Sequence, residues 1–262
     1  MTNSSIHPTA VIADGVQIGP NCEIGPYCIF ESDVVIGAGN KFLANVYVGR
    51  YTQMGDNNIV FPYTTLGLQP QDLKFEDGLT RLVIGDRNTI REHVTLHRGT
   101  GHGGGVTLVG DDNLFMVGAH AGHDCQLGSR GIYAHGCALA GHVTVGNDAT
   151  VGASSSVHQF CHVADYGWIG GHSVVVQDAI PYTKTVGNRA KIYGINSIGL
   201  ERSGFSKQEI TDLKQAYRIL FLKKLRLVDA LETLDRDYAG NKRVEYMVSF
   251  IRAALEQRGI TR

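Results

Sequence analysis

The chain is short of several things. It has 6 prolines and one tryptophan in 262 residues, and its formal net charge is only −1. A near-neutral balance with an ordinary apolar fraction excludes a disordered tail and a nucleic-acid-binding chain. No apolar run approaches the roughly 18 residues of a membrane-spanning helix, so no integral membrane segment is expected. The start, Met1-Thr2-Asn3-Ser4-Ser5-Ile6, has neither a basic region nor an apolar core, so no export signal is expected. Five scattered cysteines without a CxxC pair point to reduced thiols and a cytoplasmic location. What the chain has in excess is glycine, 33 residues. Without the every-third spacing of collagen, that abundance suggests a short-period repeat.

The repeat is six residues long. From Ile6 the step meets Ile12, Ile18, Ile24, Phe30, Ile36, Phe42, Val48, Met54, Val60 and Leu66, then Ile84, Ile90 and Leu96. It resumes at Val109 and runs through Phe115, Ala121, Leu127, Tyr133, Leu139, Val145, Val151, Val157, Val163 and Ile169 to Val175. The next position is often glycine, and the residue four places on is small or medium, as at Ala10, Thr52, Ala119 and Ser155. Neither a helix nor an alternating strand has this period. Three hexapeptides close one triangular coil, so residues 18 apart stack at the β spacing of roughly 4.8 Å. The expected fold is an all-β left-handed parallel β-helix, an exception to the right-handed rule for crossovers. The glycines are expected to relieve demanding corner conformations. Cys22, Cys28, Cys125, Cys137 and Cys161 all occupy the fourth place after an inward residue, where they are expected as small, half-buried structural side chains.

Two stretches leave the repeat, near 67–83 and 97–108. The second is a step of 13 positions from Leu96 to Val109, one more than two repeats, and must bulge outward. Loops leaving a rigid scaffold commonly carry binding residues. The solenoid is expected over 1–195 and an α-helical domain over 196–262. Ser206-Lys207-Gln208-Glu209 reads as a capping box opening a helix that ends near Leu225. Further helices are expected from Leu227 to about Tyr238 and from Arg243 to about Arg258, stopped by Gly259. Residues 1–199 carry 11 basic and 16 acidic groups, whereas 200–262 carry 13 and 9. The basic tail suggests an acidic partner.

Of the eleven histidines, His7 and His93 read as structural or exposed. Stacking makes the 120–125 neighbourhood different. One coil above His123 is Gly141 and the next is Gln159, while His142 lies above Asp124. His123, Asp124, Gly141, His142, His158 and Gln159 are therefore expected on one edge, with His120 nearby. An imidazole there suits base catalysis, since it can accept and return a proton near neutrality. A zinc site of the γ-carbonic-anhydrase type is the rival, but it uses a His-x4-His pair. The pairs here are His120-x2-His123 and His158-x3-His162, so no metal is expected.

The loop motifs carry a more specific signal. Ile6-His7-Pro8-Thr9-Ala10, Gln71-Asp72-Leu73-Lys74, Thr95-Leu96-His97-Arg98-Gly99-Thr100, His120 to Asp124, Leu139-Ala140-Gly141-His142 and Val157-His158-Gln159-Phe160 occur in this order. With the helical tail, the chain resembles the UDP-N-acetylglucosamine O-acyltransferases that start lipid A biosynthesis. The resemblance implies a homotrimer with sites between solenoids. It implies transfer of a 3-hydroxyacyl chain from acyl carrier protein to the glucosamine 3-hydroxyl of UDP-N-acetylglucosamine, with no cofactor. By resemblance His123 is the general base and the Gly141 N–H faces the oxyanion; from the register, Asp124 reads as a supporting carboxylate that either orients His123 or pairs with His142. Asp72, Lys74, His120, His142, His158, Gln159, Asn196 and Arg202 match substrate contacts. Arg189 and Ile198 depart from the residues some members carry. Gly171 matches the end of the acyl groove, and a glycine there implies a longer acyl preference. The sister N-acyltransferase of the same pathway shares the solenoid and a catalytic histidine, but normally has an extra globular N-terminal domain.

Overall fold

A computed structural model describes residues 4–262. Its 28 short strands form three sheets of 11, 9 and 8 strands, parallel except for the last pair of the first, one for each face of a triangular prism. Partners lie 18 residues apart wherever the repeat is unbroken, as for Ser5 with Glu23 and Leu139 with Val157. Across the insertions Ile59 pairs with Thr89 and Thr89 with Leu114, so the extra residues loop out while the coil stays closed. Both insertions leave the prism between its second and third faces. That is the edge on which His123 lies.

Each strand pairs an outward residue with an inward one. Phe30, Val48, Leu66, Leu96, Ala121, Leu139, Val157 and Val175 form an almost wholly buried file down the second face. Burying such side chains stabilises by about 1.5–3 kcal/mol each. The position four residues on also turns inward. All five cysteines there are buried to 1% exposure or less rather than half-buried, and burial pushes the Cys125 and Cys137 thiols up to about 12. Buried Asn40, Asn58, Asn88 and Asn113 occupy the equivalent place in the column that begins with Cys22 and bond to one another in sequence.

The role expected for the repeat glycines needs correcting. Left-handed backbone falls two residues after the usual glycine, on residues such as Asn21, Tyr51, Asp124, His142 and Phe160. The glycine itself is needed because coils approach closely. A Cβ at Gly25 would lie 1.4 Å from the Leu43 carbonyl oxygen, and one at Gly19 2.6 Å from that of Gly37.

Regular coils give way to a hairpin in which Thr183–Val186 pairs antiparallel with Lys191–Ile195. Four α-helices follow: α1 (Ser197–Arg202), α2 (Lys207–Tyr217), α3 (Leu227–Asp237) and α4 (Lys242–Leu255). The Ser206–Glu209 capping box forms in both directions. After α2 the chain continues as a π-helical turn over Arg218–Leu222. Leu213, Leu231, Leu234, Met247 and Ile251 centre a second core, joined by Ile180 and Tyr182. The C-terminus returns to the last coil, where the Thr261 N–H donates to the Asp178 carbonyl at 2.9 Å.

Candidate active site

His123 lies two residues past the inward Ala121, on the edge between the second and third faces. Its Nδ1 is 2.8 Å from Asp124 Oδ2. Asp124 adopts φ 59°, and its carboxylate, 1% exposed, turns back under the glycine-rich insertion. There it accepts the Thr100 N–H at 3.0 Å and the Thr100 hydroxyl at 2.7 Å. The Asp124 N–H donates to the Thr107 hydroxyl at 2.8 Å. Glycine is required for this approach, since a Cβ at Gly103 would fall 2.2 Å from Asp124 Oδ2.

His142 Nε2 is 3.8 Å from the same carboxylate oxygen, beyond hydrogen-bond reach. Asp124 therefore orients His123, not His142. His142 stacks on Phe160 at 4.4 Å and meets the His123 ring edge-on at 5.1 Å. Burial lowers its pKa, against the pull of Asp124. The His123 ring rests over Gly141, where a Cβ would approach Nε2 and Cε1 to 2.6 Å. Among the described residues the Gly141 N–H has no hydrogen-bond partner. An imidazole with Nδ1 tied to a buried carboxylate keeps Nε2 free, beside an unspent N–H.

A back wall of imidazoles completes the corner. His120 Nδ1 lies 2.6 Å from the Thr95 hydroxyl, and its ring meets His97 edge-on at 5.0 Å. Burial lowers the His120 pKa and drives that of His97 down to about 4, so both are neutral near pH 7. From the first insertion Asp72 joins the cleft. Its carboxyl is held below the usual range by the Lys74 N–H, then by the charges of His102 and His123. Lys74 lines a cavity of about 330 Å³ with Glu76, Gly101 and His102.

Other expected residues lie elsewhere. His158 contacts Arg258 at 3.2 Å in a cavity of about 660 Å³ that also carries Arg189, Lys191 and Arg262. Gln159 lies exposed on the His123 edge, two coils on. Asn196 caps α1 through the Gly199 N–H, and its own N–H donates to the Tyr182 carbonyl. Tyr182 in turn donates to Asp165, which belongs to the edge between the third and first faces. Arg202 is exposed at the end of the same short helix. Gly171 lies on the remaining edge, between the first and second faces. A Cβ there would meet only Ala153, at 3.4 Å, so the site has room for a side chain. One chain thus gathers His123, Asp124, Gly141, His142, His120 and Asp72, but puts Asn196, Arg202 and Gly171 on other edges.

Thr100, Thr107, His97, His102 and Phe160 had no role assigned from the sequence, although His97, Thr100 and Phe160 stand in its loop motifs. The glycine-rich break in the repeat over 97–108 was the available signal for the first four. His123, Asp124 and His142 also present three ligand atoms within 4.8 Å of one another. Two Thr100 groups already occupy the carboxylate, an arrangement that suits an oriented base.

A histidine–carboxylate pair over a free backbone N–H, on the edge of a six-residue solenoid, is the equipment of a hexapeptide transferase. Residues 2–32 and 15–50 match the bacterial transferase hexapeptide family. Residues 178–261 match the second domain of UDP-N-acetylglucosamine O-acyltransferase. The chain is 42% identical over 258 residues to the acyl-[acyl-carrier-protein]--UDP-N-acetylglucosamine O-acyltransferase of Anaeromyxobacter dehalogenans, covering 98% of this chain and all of that one. With the same-named Paraburkholderia phymatum enzyme the identity is 44%, over 99% of this chain and all of the relative. The crystal structure of UDP-N-acetylglucosamine O-acyltransferase from Moraxella catarrhalis superposes with a TM-score of 0.94 at 38% identity, covering 98% of this chain and 99% of that one. This chain belongs to the acyl-[acyl-carrier-protein]--UDP-N-acetylglucosamine O-acyltransferase family, and its solenoid is the left-handed form.

Proposed function

We propose that this chain transfers a 3-hydroxyacyl group from acyl carrier protein to the glucosamine 3-hydroxyl of UDP-N-acetylglucosamine, the first step of lipid A biosynthesis. The family to which it belongs supports the reaction class, donor and acceptor. The observation that carries the mechanism is the 2.8 Å contact of His123 Nδ1 with buried Asp124. With Nδ1–H donating to the carboxylate, Nε2 is the basic nitrogen and takes the acceptor proton as the oxygen attacks the thioester carbon. The carbonyl oxygen becomes an oxyanion facing the Gly141 N–H. As the C–S bond breaks, the His123 imidazolium returns the proton to the departing thiolate, leaving the base neutral. Asp124 stabilises the transient imidazolium.

Asp72, Lys74, His120, His142 and Gln159 are read as acceptor contacts from this edge. His158 joins them through the cationic cavity with Arg189, which suits a phosphoryl group. Asn196 and Arg202 reach the acceptor from a neighbouring copy, because they occupy a different edge of their own prism. A homotrimer with clefts between solenoids satisfies that geometry. The basic helical tail offers a docking face to the acidic carrier protein. No helix is long and apolar enough to cross a membrane, and all five cysteines are free. Together with carrier-protein chemistry, these support a cytoplasmic enzyme.

The test is His123→Ala. Its turnover should fall about 10²–10⁴-fold, with oligomer and nucleotide binding intact; near-normal turnover would sink the base assignment. Product mass from UDP-N-acetylglucosamine and its 3-amino analogue, over a ladder of carrier thioesters, tests acceptor and chain length. The open space at Gly171 supports a preference for longer chains, and fastest turnover on short ones would refute it.

A further inference from the structure

The two insertions meet at a second imidazole–carboxylate pair. His102 Nε2, from the glycine-rich insertion, lies 3.0 Å from Asp72 Oδ2 in the first insertion. The other carboxylate oxygen, Oδ1, accepts the Lys74 N–H at 2.9 Å. Oδ1 of Asp72 thus has a fixed backbone donor and Oδ2 an imidazole nitrogen in close contact, and each keeps a lone pair for a further hydroxyl. The Asp72 side chain is 20% exposed although it stands on a surface loop.

The loop that presents His102 is anchored at its base. Thr100 is bonded to Asp124 through both its N–H and its hydroxyl. The Gly103 and Gly105 N–H groups donate back to the Thr100 carbonyl at 3.1 and 2.9 Å. Arg98 joins the same segment to Asp77 of the first insertion at 2.6 Å. One short turn therefore holds two carboxylates. Thr100 holds the one that orients the base, and His102, two residues on, holds the one in the cleft facing it.

We infer that His102 is a positioning residue for the acceptor, its Nε2–H holding the Asp72 carboxylate ready to receive an acceptor hydroxyl beside His123. This rests on the reading of Asp72 as an acceptor contact. A loop carboxylate free to rotate would be ordered only on binding, at a cost equivalent to about five- to tenfold in affinity. The clamp supplies that order beforehand. Stability is the wrong place to look for it, because half-exposed ion pairs contribute little to folding.

Steady-state kinetics on the full-length enzyme, with UDP-N-acetylglucosamine varied at saturating carrier thioester, test the inference. His102→Ala should raise the acceptor KM about five- to tenfold, leaving kcat within about twofold and the thioester KM unchanged. His102→Gln should restore the acceptor KM, since the glutamine Nε2 reaches a similar place and donates an N–H. In an Asp72→Ala background, His102→Ala should add little further loss. An unchanged acceptor KM in His102→Ala, a glutamine variant as poor as alanine, or full additivity overturns the assignment. So does a matching loss of thermal stability and thioester affinity, which would mark a general loop tether. If Asp72→Ala raises the acceptor KM and His102→Ala does not, the role of His102 alone is lost. If Asp72→Ala leaves KM unchanged, the reading of Asp72 fails and takes the clamp with it.

Discussion

Two edges of the prism share one backbone geometry and do opposite things with it. After the third face, the residue two places past the inward one carries a short acceptor side chain that caps the N–H one coil below. Asp56 caps Ala38, Asp86 caps Asp56, Asp111 caps Asp86, Ser129 caps Asp111, Asn147 caps Ser129 and Asp165 caps Asn147, at 2.6–2.9 Å. After the second face, the corresponding positions hold His123, Gly141 and Gln159. No side chain caps the Gly141 N–H there. One edge spends its N–H groups on its own stacking; the other withholds one beside an imidazole. The edge proposed as catalytic is thus the one whose ladder is left unfinished.

The largest effect should come from Gly141→Ala. A methyl group at 2.6 Å from the His123 ring displaces the base and crowds the oxyanion position. Turnover should fall about 10²–10³-fold with the fold retained; activity within a few-fold of normal would break the comparison. Gln159→Asp sharpens it from the other side by completing the ladder. A short carboxylate there should cap the Gly141 N–H as Asp165 caps Asn147, lowering kcat roughly 100-fold without loss of thermal stability. Unaltered kcat would show that this N–H is not used.

His97 probes the wall behind the site. Its folded pKa of about 4 lies below the ordinary 6.5 because of burial, with the charges of His120 and His123 adding. The unfolded chain therefore takes up a proton first as pH falls. Stability is full above 6.5 and is lost between 6.5 and 4, by about 2 kcal/mol after allowance for solvent. His97→Phe should flatten that limb in denaturant titrations at several pH values; an identical slope would contradict the assignment. The smallest effect belongs to Asn147→Ala on the ladder edge. It should cost about 0.5–1.5 kcal/mol and leave kcat and both KM values unchanged.

Much of this was readable along the chain. The six-residue step identified the inward file and placed His123 below Gly141, because a strict repeat makes sequence distance a measure of spatial distance. It also put Asp124 below His142 and beside His123, leaving its partner open between the two rings, and the 2.8 Å contact is with His123. The side chain of Asp124 turns toward Thr100, which no fixed interval reveals, since the insertion carrying Thr100 has left the repeat. The glycines were found correctly and explained wrongly: their Cβ atoms would strike the next coil, while the left-handed residues follow two places later. The helical tail was legible from its capping box and spacing, but short α1 and the π-helical turn after α2 lack such signals.

By itself, the sequence determined the solenoid, its register and the edge that carries the proposed base, since local six-residue periodicity leaves one way to bury the apolar file. Only the tertiary structure decided how the insertions fold back on that edge. It brings Thr100 under Asp124 and His102 against Asp72, contacts between segments that no repeat relates. It also sends Asn196, Arg202 and Gly171 to other edges, where on the proposed reading they serve the site of a neighbouring copy.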